Sequence, residues 1–133
     1  VLFSGGKDST ALLHLCHAVD PTIPAVFVND GAQTPWTYEV INTMRERGHA
    51  VQTIETTVSF PWMLKCVGML GSDAPERLDG DWHWSPSQFR EVLVEEPARR
   101  IRDMGYPVHL MGLRAEESRA RLMNRKRRGV IYG

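Results

Sequence analysis

Cysteine is scarce in this chain: 133 residues hold two, Cys16 and Cys66. They lie far apart and form no C-x-x-C pair. That argues against a disulfide framework and against a thiolate-held zinc site in this segment. No iron–sulfur cluster is expected here either, and a reducing cytoplasm is the default compartment. An excess of one charge is also lacking, since 16 Lys and Arg balance 16 Asp and Glu. No global field draws the chain to nucleic acid or to a membrane surface. Long apolar runs are missing, and none approaches the roughly 20 residues of a membrane span. No signal peptide, internal repeat or low-complexity tract is visible.

The remaining composition, 42% hydrophobic and 24% charged, fits one globular domain over residues 1–133. The first residues already look like a strand, and Val130-Ile131-Tyr132-Gly133 looks like the start of another. The expectation is a fragment of a longer chain that lacks its C-terminal part.

Strand and helix patterns alternate. Val1-Leu2-Phe3 reads as a buried strand. Ser9 to Val19 reads as a helix with Leu12, Leu15, Cys16 and Val19 inward and His14 and His17 outward. Asp20-Pro21 stops it. Ala25 to Val28 is a continuous apolar run, as in a parallel strand covered on both faces. Thr34-Pro35 supplies an N-cap and a first-turn proline. Val40, Ile41 and Met44 form that helix's apolar face, and Gly48 ends it. Ala50 to Ile54 is a third strand, and a short helix begins at Ser59-Phe60-Pro61. Residues 72–81 read as an exposed loop. Ser85-Pro86-Ser87-Gln88 has the form of a capping box, Pro97 kinks or splits the helix that follows, and Gly105 closes it. Val108 to Leu113 is a fourth strand, Ala115 to Met123 a helix, and residues 124–129 a basic turn. The implied fold is α/β, a parallel sheet with helices on both faces. Such sheets bind ligands beyond the carboxyl ends of their strands, where residues 4–10 and 112–121 fall.

Residues 4–10 read Ser-Gly-Gly-Lys-Asp-Ser-Thr. The spacing is neither that of a P-loop nor G-x-G-x-x-G. Gly5 and Gly6 permit a tight turn whose N–H groups converge. The next helix adds its free N–H groups and positive dipole end. Lys7 brings a mobile cation, and Ser4, Ser9 and Thr10 bring hydroxyls. Asp8 beside an anion implies either an intervening Mg²⁺ or a capping role. In the second segment, Arg114, Arg119 and Arg121 can fork onto phosphate or sulfate oxygens. Ser118 can cap or donate, while Glu116 and Glu117 can orient the arginines.

The first segment resembles the S-G-G-x-D-S signature of the PP-loop ATP pyrophosphatases, in the adenine nucleotide alpha hydrolase superfamily. Gly112-Leu113-Arg114-Ala115-Glu116-Glu117-Ser118-Arg119-Ala120-Arg121 resembles the G-x-R-x-x-E-S-x-x-R segment of the phosphoadenosine phosphosulfate (PAPS) reductase family. That family also takes in the ATP-cleaving subunit of sulfate adenylyltransferase and related DNA-modification proteins. Val26 to Gly31 with Pro35-Trp36-Thr37 resembles its V-D-T-G and P-E-T segment, with Asn29 where Asp is usual, Asp30 where Thr is usual, and Trp36 in place of Glu.

The resemblance implies a Rossmann-like PP-loop domain of the adenine nucleotide alpha hydrolase kind. Lys7, Asp8, Arg114 and Arg119 would carry the chemistry, and Asp8 would meet Mg²⁺. Ser4, Gly5, Gly6, Ser9, Thr10, Asn29, Asp30, Gly31, Gly112, Ser118 and Arg121 would join Lys7, Asp8 and Arg114 in binding the nucleotide. The intact first motif favours ATP, used with pyrophosphate release to adenylylate a small oxyanion acceptor. One alternative is thiol-dependent reduction of PAPS or adenylyl sulfate, in which a cysteine attacks the sulfur. The catalytic cysteine of such reductases lies near the C-terminus, beyond this segment. Another alternative is a nucleotide-binding module without catalysis, and a partner subunit stays open.

Arg125-Lys126-Arg127-Arg128 reads as a solvated turn or as a contact for polyphosphate or nucleic acid. Trp82-His83-Trp84 reads as core packing or as a stacking surface. Cys16 reads as core and Cys66 as an unremarkable thiol on a short helix.

Overall fold

The computed structural model describes residues 1–66, 86–113, 123, 126 and 127. The expectations for residues 72–81, for Trp82-His83-Trp84 and for Ser85 lie outside the described residues, as do those for Ala115 to Leu122.

Two strands carry most of the described pairing. β1 (Ala25–Asn29) runs parallel to β2 (Val51–Glu55), with Ala25 opposite Val51 and Asn29 opposite Glu55. On the other side of β1, Leu2 bridges Val26 and also Met111, both in parallel. Phe3 N–H donates to the Val26 carbonyl at 2.8 Å, and Leu2 N–H donates to the Leu110 carbonyl at 2.9 Å. The spatial order is therefore β2, β1, the Leu2 segment, the Met111 segment. Numbered along the chain, that is third, second, first, fourth strand. The order reverses between Leu2 and Met111, which makes that line the switch point of a doubly wound sheet.

Alternation along each strand divides the core into two layers. Phe3, Ala25, Phe27 and Val51 pack with Leu13, Ile41 and Met44 on one face. Leu2, Val26, Val28 and Ile54 pack with Ile101 and Tyr106 on the other. The first face belongs to α1 (Lys7–Val19) and α2 (Pro35–Glu46), and the second to a later helix. This is the α/β architecture with helices on both faces that the alternating pattern predicts. Among the described residues, no helix is long and apolar enough to cross a membrane.

The ends of α2 follow its local chemistry. Thr34 Oγ1 accepts from Thr37 N–H at 3.3 Å, and Pro35 opens the helix. Gly48, with φ +87°, takes the chain out of the helix. α3 (Phe60–Cys66) follows β2, and its Phe60 meets Phe89 of α4 (Pro86–Arg90) edge to face. A π-helical turn over Glu91–Glu95 then leads into α5 (Glu96–Asp103). Pro97 has no N–H, and its ring crowds the carbonyl one turn earlier. The wider π turn just before it absorbs the conflict, so the helix widens at this point rather than splitting.

Several expectations change. In α1 the inward stripe is Ser9 and Leu13, while Leu15 and Val19 are 68% and 86% exposed. Hydropathy alone misses the stripe because a serine heads it, with its hydroxyl satisfied internally. Val108 and Leu110 to Leu113 pair with Leu2 only around Met111, and Val108 stays 72% exposed. The fourth strand is thus shorter and more open than its apolar run suggests. Lys126 and Arg127 are helical and exposed, not part of a turn.

Histidines join the amino-end turns of the sheet. His17 Nε2 lies 2.7 Å from the Ile23 carbonyl, which can only accept, so this nitrogen carries the proton. His17 Nδ1 then accepts from His49 Nδ1 at 2.7 Å. His17 is accordingly half-buried and bonded, not an outward surface group. Desolvation, followed by the charges of His17, His14 and Arg47, lowers the His49 pKa from its ordinary 6.5.

A histidine held below its unfolded pKa binds protons more readily when unfolded, so stability is lost as pH falls through that range. The stabilising contribution is complete above about pH 6.5. Urea unfolding between about pH 7.5 and pH 5.5 is expected to show a smaller loss of stability in His49→Gln than in the unaltered chain. Equal losses would clear His49 of the effect.

Candidate functional site

The loop at residues 4–10 leaves the sheet beside the switch point and turns straight into α1. Gly5 sits at φ +72°, where a side chain is disfavoured. A Cβ there would also lie 3.2 Å from Thr37 Cγ2, so the loop rests on the first turn of α2. Gly6 is the N-cap of α1, and no side chain caps the helix. The first-turn N–H groups of α1 lie at this helix end, as at any helix N-terminus.

The hydroxyls have a different task from the one the sequence suggests. Ser9 Oγ is buried and donates to the Gly6 carbonyl at 2.9 Å. A hydroxyl has one proton, so in the 3.1 Å pair with Ser4 Oγ it is Ser4 that donates. Ser4 N–H also donates to Ser9 Oγ, at 3.2 Å. Thr10 Oγ1 donates to the same Gly6 carbonyl at 2.9 Å. The three hydroxyls thus fix the loop's shape, which leaves the backbone N–H groups and the exposed Lys7 to face an anion. Charge-assisted bonds from such groups are the strong kind.

Gly112 completes the wall. A Cβ on it would stand 2.7 Å from the Asp8 carbonyl oxygen and 3.0 Å from Ser9 N. The chain leaving the fourth strand therefore touches the first turn of α1 directly. The structure brings together Ser4 to Thr10 and Gly112, which lie about a hundred positions apart in the sequence. Arg114, Ser118, Arg119 and Arg121 lie outside the described residues.

Asn29, Asp30 and Gly31 close the end of β1. Asn29 Oδ1 accepts from Gly31 N–H at 3.1 Å and from the Tyr38 hydroxyl at 2.9 Å. Its Nδ2 donates to Glu55 Oε1 at 3.2 Å. Asp30 Oδ1 accepts from Ala32 N–H at 3.0 Å and from Gln33 Nε2 at 2.9 Å, so its carboxylate holds its own loop. Tyr38 and Glu55 were not singled out by the sequence, whereas Thr37 was, within Pro35-Trp36-Thr37. Glu55 carried no local signal: it matters by standing opposite Asn29 in the register of the two strands.

Among the described residues, no group of three or more His, Cys, Asp or Glu side chains is placed to hold a metal ion. Mg²⁺ needs no such cage, since one or two carboxylates and substrate phosphates suffice with water. Asp8 stands on the first turn of α1. An apolar cleft of about 350 Å³ lies at the opposite, amino edge of the sheet, lined by Ile23, Pro24, Ile101, Tyr106 and Val108 among others. It lies at the other end of the strands from the loop.

A doubly wound parallel sheet with a helix start at its switch point defines a Rossmann-like α/β protein, the class in which ligands are held at the carboxyl edge. The particular family is settled by comparison. Residues 1–127 match the family described as "Phosphoadenosine phosphosulfate reductase domain", and the chain belongs to that family, within the adenine nucleotide alpha hydrolase superfamily. It is 28% identical over 120 residues to a phosphoadenosine 5'-phosphosulfate reductase of Vibrio cholerae, covering 89% of this chain and 44% of that protein. It is 26% identical over 122 residues to the enzyme of that name from Thiocapsa roseopersicina, covering 89% and 47%. It is 29% identical over 124 residues to an adenosine 5'-phosphosulfate reductase of Bacillus thuringiensis, again covering 89% and 47%. The chain thus spans about half the length of these curated relatives. No solved structure matches it.

Gly112→Ala tests the contact between the two motifs. A contact of 2.7 Å with backbone forces α1 and the fourth strand apart. The expected cost is about 1–3 kcal/mol of stability, with weaker pyrophosphate binding. Denaturant unfolding and calorimetry read the two effects, and unchanged values in both would show that the segments do not bear on each other.

Proposed function

We propose that this chain is the nucleotide-binding part of a thiol-dependent reductase acting on PAPS or adenylyl sulfate. The observation that carries this reading is the direct contact of Gly112 with the first turn of α1. Arg114 follows two residues later, and two residues span at most about 7 Å. Arg114 is therefore the first candidate of the second motif for a ligand at the loop. The helix-start N–H groups and Lys7 would hold the nucleotide phosphate, and the second motif's Arg114, Ser118, Arg119 and Arg121 are the candidates for the sulfate end. When a thiolate attacks the sulfur, the sulfur–oxygen bond breaks and the charge passes to the phosphate oxygen. Backbone donors already aimed at that oxygen stabilise it without reorganising.

The names of the relatives support reduction over adenylyl transfer. The attacking thiol is assigned to no residue here. Cys16 is half-buried within α1, well down the helix from the loop. Transfer from ATP remains the competing outcome, because Lys7 and Asp8 complete a motif suited to Mg²⁺ and pyrophosphate.

Calorimetric titration separates the two. Adenylyl sulfate or PAPS is expected to bind without Mg²⁺, and Lys7→Ala is expected to weaken it by about tenfold or more. Binding of ATP that requires Mg²⁺, with neither sulfated nucleotide retained, would overturn reduction in favour of transfer.

A further inference from the structure

The ends of β1 and β2 carry an unusual pair. Asn29 and Glu55 stand opposite each other in the parallel register. The Asn29 amide has a fixed orientation, because its oxygen accepts from Gly31 N–H and from the Tyr38 hydroxyl. Its nitrogen must then point the other way, and it donates to Glu55 Oε1 at 3.2 Å. An aspartate at position 29 would repel that carboxylate, whereas the amide draws it in. The Glu55 side chain is thereby drawn toward β1 and so toward the loop.

Other charges at this edge are engaged elsewhere. Asp30 is turned onto Ala32 and Gln33. Arg100 Nη1 donates to the Glu55 backbone carbonyl at 2.7 Å and pairs with Glu96 at 3.3 Å. Glu55 itself is exposed and keeps acceptor capacity. Two strand spacings, about 10 Å, separate the line of β2 from that of the loop. The lean toward β1 shortens that gap to a distance a ribose can bridge from a phosphate held at Gly6 and Lys7.

We propose that Glu55 reads the ribose of the bound nucleotide, accepting a hydrogen bond from a free hydroxyl and repelling a phosphate in its place. The chain would then prefer adenylyl sulfate to its 3'-phosphorylated form. The principle is that of dinucleotide sites, where an acidic residue takes a ribose hydroxyl and an arginine takes a phosphate. This inference rests on the loop holding the phosphate of an adenine nucleotide. A phosphate adds nearly two negative charges beside the carboxylate, enough for discrimination of about tenfold at a partly exposed site.

Titration of the protein with adenylyl sulfate, PAPS and inorganic pyrophosphate tests it. Adenylyl sulfate is expected to bind about tenfold more tightly than PAPS. Glu55→Gln should narrow that ratio to about threefold, chiefly by tightening PAPS, with pyrophosphate affinity unchanged as the check on folding. Glu55→Ala should act in the same direction. Equal or tighter binding of PAPS by the unaltered protein would overturn the inference, and so would a ratio that survives both substitutions. Binding of pyrophosphate without either nucleotide would overturn it while leaving the loop as an anion site. Failure of all three ligands would remove the reading of the loop, and this inference with it.

Discussion

The double pairing of Leu2 is the constraint on which the rest of the structure depends. One short extended segment reaches β1 through Val26 on one side and the fourth strand through Met111 on the other. Without it, β1 and β2 would be a two-stranded ribbon with helices on either side and no switch point. With it, the loop that follows Phe3 emerges between two neighbouring strand ends. Both neighbours contribute to its surroundings: Thr37 supports Gly5 from the side of β1, and Gly112 abuts Asp8 from the fourth strand. The position of the candidate site is a consequence of strand order before it is a consequence of any polar side chain.

The loop keeps its shape by spending its own hydroxyls. Ser4, Ser9 and Thr10 close on the Gly6 region in a small network of hydrogen bonds. A rigid loop of this kind loses little freedom when an anion arrives, so more of the contact energy appears as affinity. The N-cap of α1 is a glycine, which brings no capping side chain of its own. Any residue that capped it would compete with the ligand for the same N–H groups.

Much of this was legible in the sequence. The helices at 35–46 and 86–103 could be read from Thr34-Pro35, Pro86 and Gly105, because caps and breakers act locally. The strands at 25–29 and 51–55 could be read from apolar runs. The inward face of α1 could not, because Ser9 is buried only by virtue of bonds to Ser4 and Gly6, which hydropathy does not register. The extent of the fourth strand was overestimated because an apolar run does not reveal whether a partner strand covers it. At the site, the two motifs were visible as motifs, and strand order predicts a shared edge. Their contact through Gly112 is a tertiary fact. Glu55 was invisible because its importance comes from register, from being opposite Asn29, and not from any local pattern.

The position of the single amide bears on how such a site distinguishes ligands. Phosphate recognition at an uncapped helix start is generic, since backbone N–H groups take any tetrahedral oxyanion. Selectivity must then come from elsewhere along the ligand. The sheet offers one direction for it: across the strand ends, from the loop over β1 to β2. Along that row the chain replaces the usual strand-end aspartate by Asn29, and the carboxylate it holds there is supplied by Glu55 from the next strand. The negative charge is kept but moved one strand outward, which in the proposed binding mode is farther from the phosphates and nearer to the nucleoside. A carboxylate beside the anion loop would weaken every ligand alike. One displaced to the ribose end weakens only those that carry charge there, which makes it a discriminating element rather than a general cost.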